Sequence, residues 1–135
     1  MTARRVRRGA LALTLTAALG AAAIVGVATA AKPPVTRSLS ASGSELAFSK
    51  RTLSAPKGKV RLVLRNRATI EHNLAIRGNG LRPKKGKVVG QGGVSRVTAT
   101  VTPGRYTYYC SVGGHQAAGM TGVLTVPKPA RRPRR

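Results

Sequence analysis

PGRYTYYCSVGGHQAAGM, residues 103–120, is the stretch of this chain that decides its fold class. In its first half two tyrosines and Cys110 alternate with other residues, which is the two-residue period of a β-strand. Its second half is a glycine-containing segment in which His115 and Met120 follow Cys110 within eleven residues. A strand that ends in a thiol and continues into a loop with an imidazole and a thioether predicts a β-protein with a metal site at one end.

The rest of the middle of the chain shows the same alternation in short runs separated by Gly and Pro. The predicted inward-facing sets are Leu46 and Phe48; Val60, Leu62 and Leu64; His72, Leu74 and Ile76; Val97, Ala99 and Val101; Tyr106, Tyr108 and Cys110; and Gly122, Leu124 and Val126. No convincing amphipathic helix and no internal repeat interrupts them. Many short strands at this spacing predict an all-β, antiparallel sandwich or barrel.

The chain has one Cys and two His, and a single metal site accounts for all three. One thiolate, two imidazoles and a weak thioether are the ligand set of a blue-copper site, here Cys110, His72, His115 and Met120. Taken alone, Cys110 could equally be a small buried apolar residue or half of an intermolecular disulfide. Zinc could occupy the same donors, but copper binds such sites more tightly.

The window from 106 to 126 contains no Lys, Arg, Asp or Glu, in a chain otherwise dense with basic residues. A dry metal site and a docking face both need an uncharged surrounding. A buried pair of strands would lack charge as well, so the window supports the metal site without requiring it.

These motifs resemble the cupredoxin family of small type 1 (blue-copper) proteins, such as plastocyanin, auracyanin and azurin. PGRYTYYC at 103–110 is similar to the family's last-but-one strand, and GMTG at 119–122 to its final one. His72-Asn73 matches the family's upstream His-Asn pair. The resemblance covers roughly residues 44–126.

The resemblance implies a Greek-key β-sandwich of about eight strands, with one copper ion at one end held by His72, Cys110, His115 and Met120. It also implies that Asn73 forms hydrogen bonds near the Cys loop and braces the ligands. Four residues separate Cys110 from His115, and four separate His115 from Met120. This spacing is nearer to auracyanin-like members than to plastocyanin.

The function that the resemblance implies is one-electron transfer, with His115 near the surface as the exit for the electron. Val112, Ala117 and Ala118 are the predicted apolar contact patch for a redox protein partner. A copper chaperone, storage or resistance protein would use the same ligands and remains the alternative. An enzyme is not expected, because further copper centres would need more histidines and a dinuclear centre a second cysteine.

The N-terminal residues 1–30 have the pattern of a secretory signal peptide. Four arginines precede an uncharged stretch from 9 to 31, and Ala28-Thr29-Ala30 is a small-x-small cleavage pattern. The stretch is just long enough to span a bilayer, so an uncleaved N-terminal anchor is the alternative. Either reading predicts export to the periplasm, the cell envelope or the medium, and the arginines leave general secretion and twin-arginine export both open.

The remaining boundaries follow composition. Residues 31–43 are predicted to be a linker because they contain Pro and Ser without periodicity, and residues 44–126 to be the cupredoxin-like domain. Residues 127–135 alternate Pro with basic residues and are predicted to be a disordered cationic tail.

The formal net charge of +23 indicates anionic partners. Only Glu45 and Glu71 oppose the 25 basic residues. The candidates are an anionic redox protein and an acidic envelope or membrane surface; a basic surface that is merely solvated is the alternative. Nucleic acid is not expected, because aromatic residues make up only 3% of the chain and no binding motif is present. We expect a monomer.

Overall fold

The computed structural model describes residues 30–43 and 46–131. The described residues from Ala31 onward make one compact unit. Residues 1–29 of the predicted signal peptide or anchor and the last four residues of the predicted tail lie outside the described part. Within that part, no helix has the length and apolarity needed to cross a bilayer.

The described residues form eight strands in two sheets. The strands are β1 (Val35–Ala41), β2 (Thr52–Ser54), β3 (Gly58–Asn66), β4 (Ala75–Gly78), β5 (Leu81–Lys85), β6 (Val94–Val101), β7 (Gly104–Tyr109) and β8 (Thr121–Val126). One sheet has the order β1-β3-β6 and the other the order β2-β8-β7-β4-β5. The predicted all-β sandwich is therefore confirmed. The β1–β3 and β2–β8 pairs are parallel rather than antiparallel, which is possible because neither pair is joined by a hairpin.

The prediction of a linker over 31–43 is wrong for residues 35–41, which are β1. The strand runs parallel to β3 as an integral part of the three-stranded sheet. Its inward residues Leu39 and Ala41 are 4% and 1% exposed. The alternation is weak in this segment because Arg37, on the same side as Leu39, is polar. In the structure its Nε donates to the carbonyl of Ser54 at 2.6 Å.

Two other short segments differ from the predicted alternation. Leu46 and Phe48 do not lie in a strand, although Phe48 is buried and its ring centroid lies 5.7 Å from that of Tyr108. The strand in this region, β2, begins later, at Thr52. Pro83, expected to interrupt structure, lies inside β5, which is tolerated because β5 is an edge strand.

The core lies between the two sheets and reaches one end of the sandwich. Its cluster of buried side chains includes Leu62, Leu74 and Leu124, and it continues to Cys110 and Met120. At this end β3 and β7 finish, while β4 and β8 begin. The core thus delivers the two sulfur-containing side chains to the same end.

Tyr108 and Gly122 are paired across β7 and β8 in the middle of the larger sheet. A Cβ added at Gly122 would lie 2.2 Å from Cζ of Tyr108, so only glycine leaves room for the ring there. The Tyr108 hydroxyl donates to the carbonyl of Lys50 at 2.6 Å, and burial raises the pKa of this phenol to about 12. The close fit against Gly122 and the hydrogen bond to Lys50 therefore hold the hydroxyl end of this ring in place.

Candidate metal centre

Cys110 and Met120 form the neck of a loop that joins the last two strands. Cys110 directly follows β7 and Met120 directly precedes β8. The backbone N–H of Cys110 donates to the carbonyl of Met120 at 3.1 Å, which continues the ladder of these strands by one step. Both side chains are fully buried, in the same apolar cluster.

The loop within this neck is tightly turned and carries His115. The N–H of His115 donates to the carbonyl of Val112 at 3.1 Å, and the N–H of Met120 donates to the carbonyl of His115 at 3.0 Å. Gly114 and Gly119 have φ angles of 78° and 106°, a region that favours glycine. Local hydrogen bonds therefore set the position of His115 relative to the neck.

His72 reaches the same end from the connection between β3 and β4. Its N–H donates to the carbonyl of Val89 at 3.1 Å, and its carbonyl accepts from the N–H of Val89 at 2.9 Å. The His72 side chain is completely buried. This pair of hydrogen bonds holds the backbone of His72 although it lies outside the named strands.

The donor atoms of His72, Cys110 and His115 lie within 4.8 Å of one another. Sγ of Cys110 is 3.8 Å from Nδ1 of His72 and 3.5 Å from Nδ1 of His115. Bonds of about 2.3 Å to sulfur and about 2.0 Å to nitrogen, about 120° apart, would separate the two donors by about 3.7 Å. The spacing therefore fits one small metal ion between the three side chains.

The electrostatics of His72 suit a ligand as well. Burial, and secondarily repulsion from His115, lower the pKa of His72, which favours the neutral imidazole that binds metals. Its Nε2 is buried without a hydrogen-bond partner among the described residues. A buried unpaired polar atom costs about 1–3 kcal/mol, a cost that metal bonding at Nδ1 of the same ring can offset.

Asn73 connects the His72 segment to the start of the Cys loop. Its side-chain carbonyl accepts from the N–H of Ser111 at 2.7 Å, and its amide donates to the Ser111 hydroxyl at 2.8 Å and to the carbonyl of Gly86 at 3.2 Å. Its backbone N–H donates to Sγ of Cys110 at 3.4 Å. The hydrogen bonds expected of Asn73 are present.

The three residues of the predicted contact patch differ in their exposure to solvent. Ala117 and Ala118 are exposed and His115 is half-buried, whereas Val112 is half-buried and packs against the core. A shallow surface depression of about 360 Å³ lies between Val112, Ala117 and neighbouring loop residues. The exposed part of the predicted patch is therefore narrower than the sequence suggested.

Sequence reasoning missed two exposed apolar side chains near this end, Ile70 (40% exposed) and Val88 (51% exposed). Ile70 lies two residues before His72, and Val88 precedes the bridging partner of His72. The side-chain amide of Asn66 donates to the carbonyls of Ile70 and Val89, at 2.9 Å each, and so ties the two loops together. Neither residue belongs to a predicted alternating run, so no periodic signal could have found it.

Residues 35–127 match the family described as "Copper binding proteins, plastocyanin/azurin family". No curated protein sequence matches the chain. The matched span includes all four predicted ligands and all eight strands.

Solved structures of auracyanins are similar to this chain over most of their length. Auracyanin B is 27% identical, with a TM-score of 0.61, over 73% of this chain and 92% of that one. Auracyanin A from Chloroflexus aurantiacus, described as a "blue" copper protein, is 26% identical, with a TM-score of 0.58, over 70% and 99%. The dithionite-reduced auracyanin of Roseiflexus castenholzii is 24% identical, with a TM-score of 0.60, over 72% and 100%, and supports the fold alone.

Proposed function

Because the chain belongs to the plastocyanin/azurin family of copper-binding proteins, we propose that it is an exported type 1 copper protein that carries single electrons between redox partners. The observation that carries the proposal is the convergence of His72, Cys110 and His115, whose donor atoms lie within 4.8 Å of one another. Met120, buried beside Cys110 in the core cluster, is the proposed weak fourth ligand.

A bound copper ion supplies the one-electron couple between Cu(II) and Cu(I), for which thiolate and thioether favour the reduced state and imidazole suits both. The contribution of the chain is to keep the donors in place when the charge of the site changes. Cys110 and Met120 are held by their mutual backbone hydrogen bond, and His72 by its bridge to Val89. A site that cannot relax needs little rearrangement for each transfer.

His115 is the proposed route for the electron, since it alone of the proposed ligands is partly exposed. It lies in a loop without charged side chains, next to the exposed Ala117 and Ala118. With Val112 at its base, this small apolar surface would allow close contact with a redox partner. The basic residues outside the loop would attract an anionic partner and make the rate of association depend on salt.

Export, the monomeric state and the absence of enzymatic activity are parts of the same proposal. The N-terminal pattern of residues 1–30 supports export. No enzyme chemistry is proposed, because His72, Cys110 and His115 form the single cluster of three His, Cys, Asp or Glu donors within the described residues, and the copper ion uses all three.

The proposal is tested with the chain from Ala31 onward, loaded with Cu(II). We expect intense visible absorption from the thiolate–copper bond, the paramagnetic resonance of a type 1 centre and reversible voltammetry. Cys110→Ser should abolish the colour, whereas Gly113→Ala, which has no atom within 4 Å of the added methyl group, should retain it. Colour that survives Cys110→Ser would exclude the site, and loss of copper upon reduction would indicate a copper chaperone, storage or resistance protein instead.

A further inference from the structure

The outward face of the three-stranded sheet is strongly basic. The residues of β3 that point away from the core include Lys59, Arg61 and Arg65, all exposed. Arg96 of β6 is also exposed and is paired with Val63, the fourth outward residue of β3. We call these four cations, Lys59, Arg61, Arg65 and Arg96, the basic sheet face.

The strands that flank β3 present hydroxyl groups rather than carboxylates beside these cations. Thr36 and Thr98 are the partners of Arg61, and Ser40 is the partner of Arg65. Neither β1, β3 nor β6 contains an Asp or Glu. Carboxylates opposite the cations would have stabilised the sheet, whereas like charges about 7 Å apart along one strand repel each other. Within these three strands the cations therefore have no carboxylate as a counter-charge, and the arrangement is suited to an external one.

A depression of about 220 Å³ adjoins the face at the β1 edge. Three cations, Lys50, Arg65 and Arg67, and the hydroxyl groups of Ser38, Ser40 and Ser49 line it. Such a depression can hold a phosphate group, which accepts hydrogen bonds from guanidinium and hydroxyl groups.

We propose that the basic sheet face binds the surface of an anionic phospholipid bilayer. The cations span about 20 Å along β3, from Lys59 to Arg65, and extend sideways to β6 and to the β1 edge. They occupy an area rather than a line, which matches a plane of headgroups better than a single extended polymer. The basic sheet face has no apolar side chain among these four that could insert into the bilayer. The contact would therefore be peripheral, and salt would reverse it.

This orientation would leave the copper end free. The ligands lie where β3 and β7 end, whereas the basic sheet face is the side of the sandwich. A molecule lying on this side would present His115 along the membrane plane, to partners on the same surface. The binding itself does not depend on electron transfer, so it can fail or succeed independently of the proposed function.

The first test compares two variants with the same net charge. The face variant carries Lys59→Gln, Arg61→Gln, Arg65→Gln and Arg96→Gln, and the control variant carries Arg51→Gln, Arg82→Gln, Arg105→Gln and Lys128→Gln, all at exposed positions outside the face. The chain from Ala31 is sedimented with phosphatidylglycerol/phosphatidylcholine vesicles in low salt. Each cation that contacts the membrane should strengthen the partition to vesicles about fivefold. We therefore expect the partition of the face variant to be at least tenfold weaker than that of the wild type, and that of the control variant less than threefold weaker. Equal losses in the two variants would mean diffuse attraction by net charge and would overturn the proposal.

The same pair distinguishes a bilayer from a soluble polyanion. Dextran sulfate serves as the polymer probe. If the face variant lost affinity for dextran sulfate but partitioned to vesicles like the wild type, the face would belong to a polymer, and the proposal would be wrong.

The second test reports orientation. The chain contains no Trp, so Thr100→Trp, on the basic sheet face, and Thr125→Trp, exposed on β8, each give a single reporter. The metal-free variants are mixed with vesicles of brominated phosphatidylglycerol, which quenches Trp fluorescence. We expect the fluorescence of the Thr100→Trp variant to be quenched at least twice as strongly as that of the Thr125→Trp variant. Equal quenching, or stronger quenching at 125, would contradict the proposed orientation.

Discussion

The backbone N–H of Asn73 donates a hydrogen bond to the sulfur of Cys110 at 3.4 Å. The side chain of the same residue bonds to Ser111, so one residue contacts both the proposed thiolate ligand and the loop that follows it. A donor at the sulfur stabilises negative charge there, and hydrogen bonding around the Cys sulfur tunes the potential of type 1 sites. The side-chain bonds keep that donor in register with Cys110.

Asn73→Ala should therefore weaken the site without removing a ligand. The N–H of Ser111 loses its acceptor in a partly buried setting, which costs about 1 kcal/mol. We expect faster copper loss to a chelator, a shifted reduction potential and a lower free energy of unfolding. Asn79→Gly is the control: it removes hydrogen bonds to Thr102 and Tyr106, away from the ligands, and keeps the left-handed backbone. Equal copper loss from both variants would show that Asn73 acts only through global stability.

Gly122→Ala should be among the most destabilising single-methyl changes in the protein. The added Cβ would lie 2.2 Å from Cζ of Tyr108, and the two residues are direct partners across β7 and β8. We expect a loss of about 3 kcal/mol or more, measured by urea unfolding. Gly113→Ala should change stability by less than about 0.5 kcal/mol. Tyr108→Leu should partly rescue Gly122→Ala, and strictly additive losses in the double variant would rule out this contact as the cause.

The proposed ligands could be identified from sequence because their signals are local or use rare residues. Cys110, His115 and Met120 lie in one short segment, and His72 is the sole remaining histidine. The convergence of His72, Cys110 and His115 within 4.8 Å depends on pairings across the whole sandwich, which no local pattern specifies.

The features that could not be predicted from the sequence also depend on contacts between distant parts of the chain. β1 is paired in parallel with β3 as part of the sheet, and the polar Arg37 on its inward side interrupts the apolar alternation that would have predicted it. The burial of Val112 and the exposure of Ile70 depend on how loops from different parts of the chain pack together. Strands with a strong alternation, such as β6 and β8, were predicted because the alternation itself encodes their buried face.

The metal-free protein should lose stability in mild acid through His72. Its folded pKa lies below 6.5, so the unfolded chain binds the proton more readily. The free energy of unfolding should thus fall as the pH drops below about 6.5 and level off below the folded pKa. The measurement is urea unfolding at a series of pH values for wild type and His72→Gln, where the difference between the curves isolates this group. Parallel curves would show that the buried imidazole does not cause the effect.

Alkaline pH should destabilise the protein through Tyr108. Its folded pKa is raised to about 12 by burial, whereas the phenol of the unfolded chain titrates near 10. Between these values the unfolded state releases the proton first, so the free energy of unfolding should decline from about pH 10 to about pH 12. Tyr108→Phe removes this decline and, by losing the hydrogen bond to the carbonyl of Lys50, costs about 1 kcal/mol at neutral pH. The free energies of unfolding of the two proteins, measured from pH 8 to 12, should therefore converge above about pH 10 and then cross, because a shift of about two pKa units is worth about 2.7 kcal/mol, more than the lost hydrogen bond. A gap that stays constant would mean that the Tyr108 phenol remains accessible to water in the folded protein.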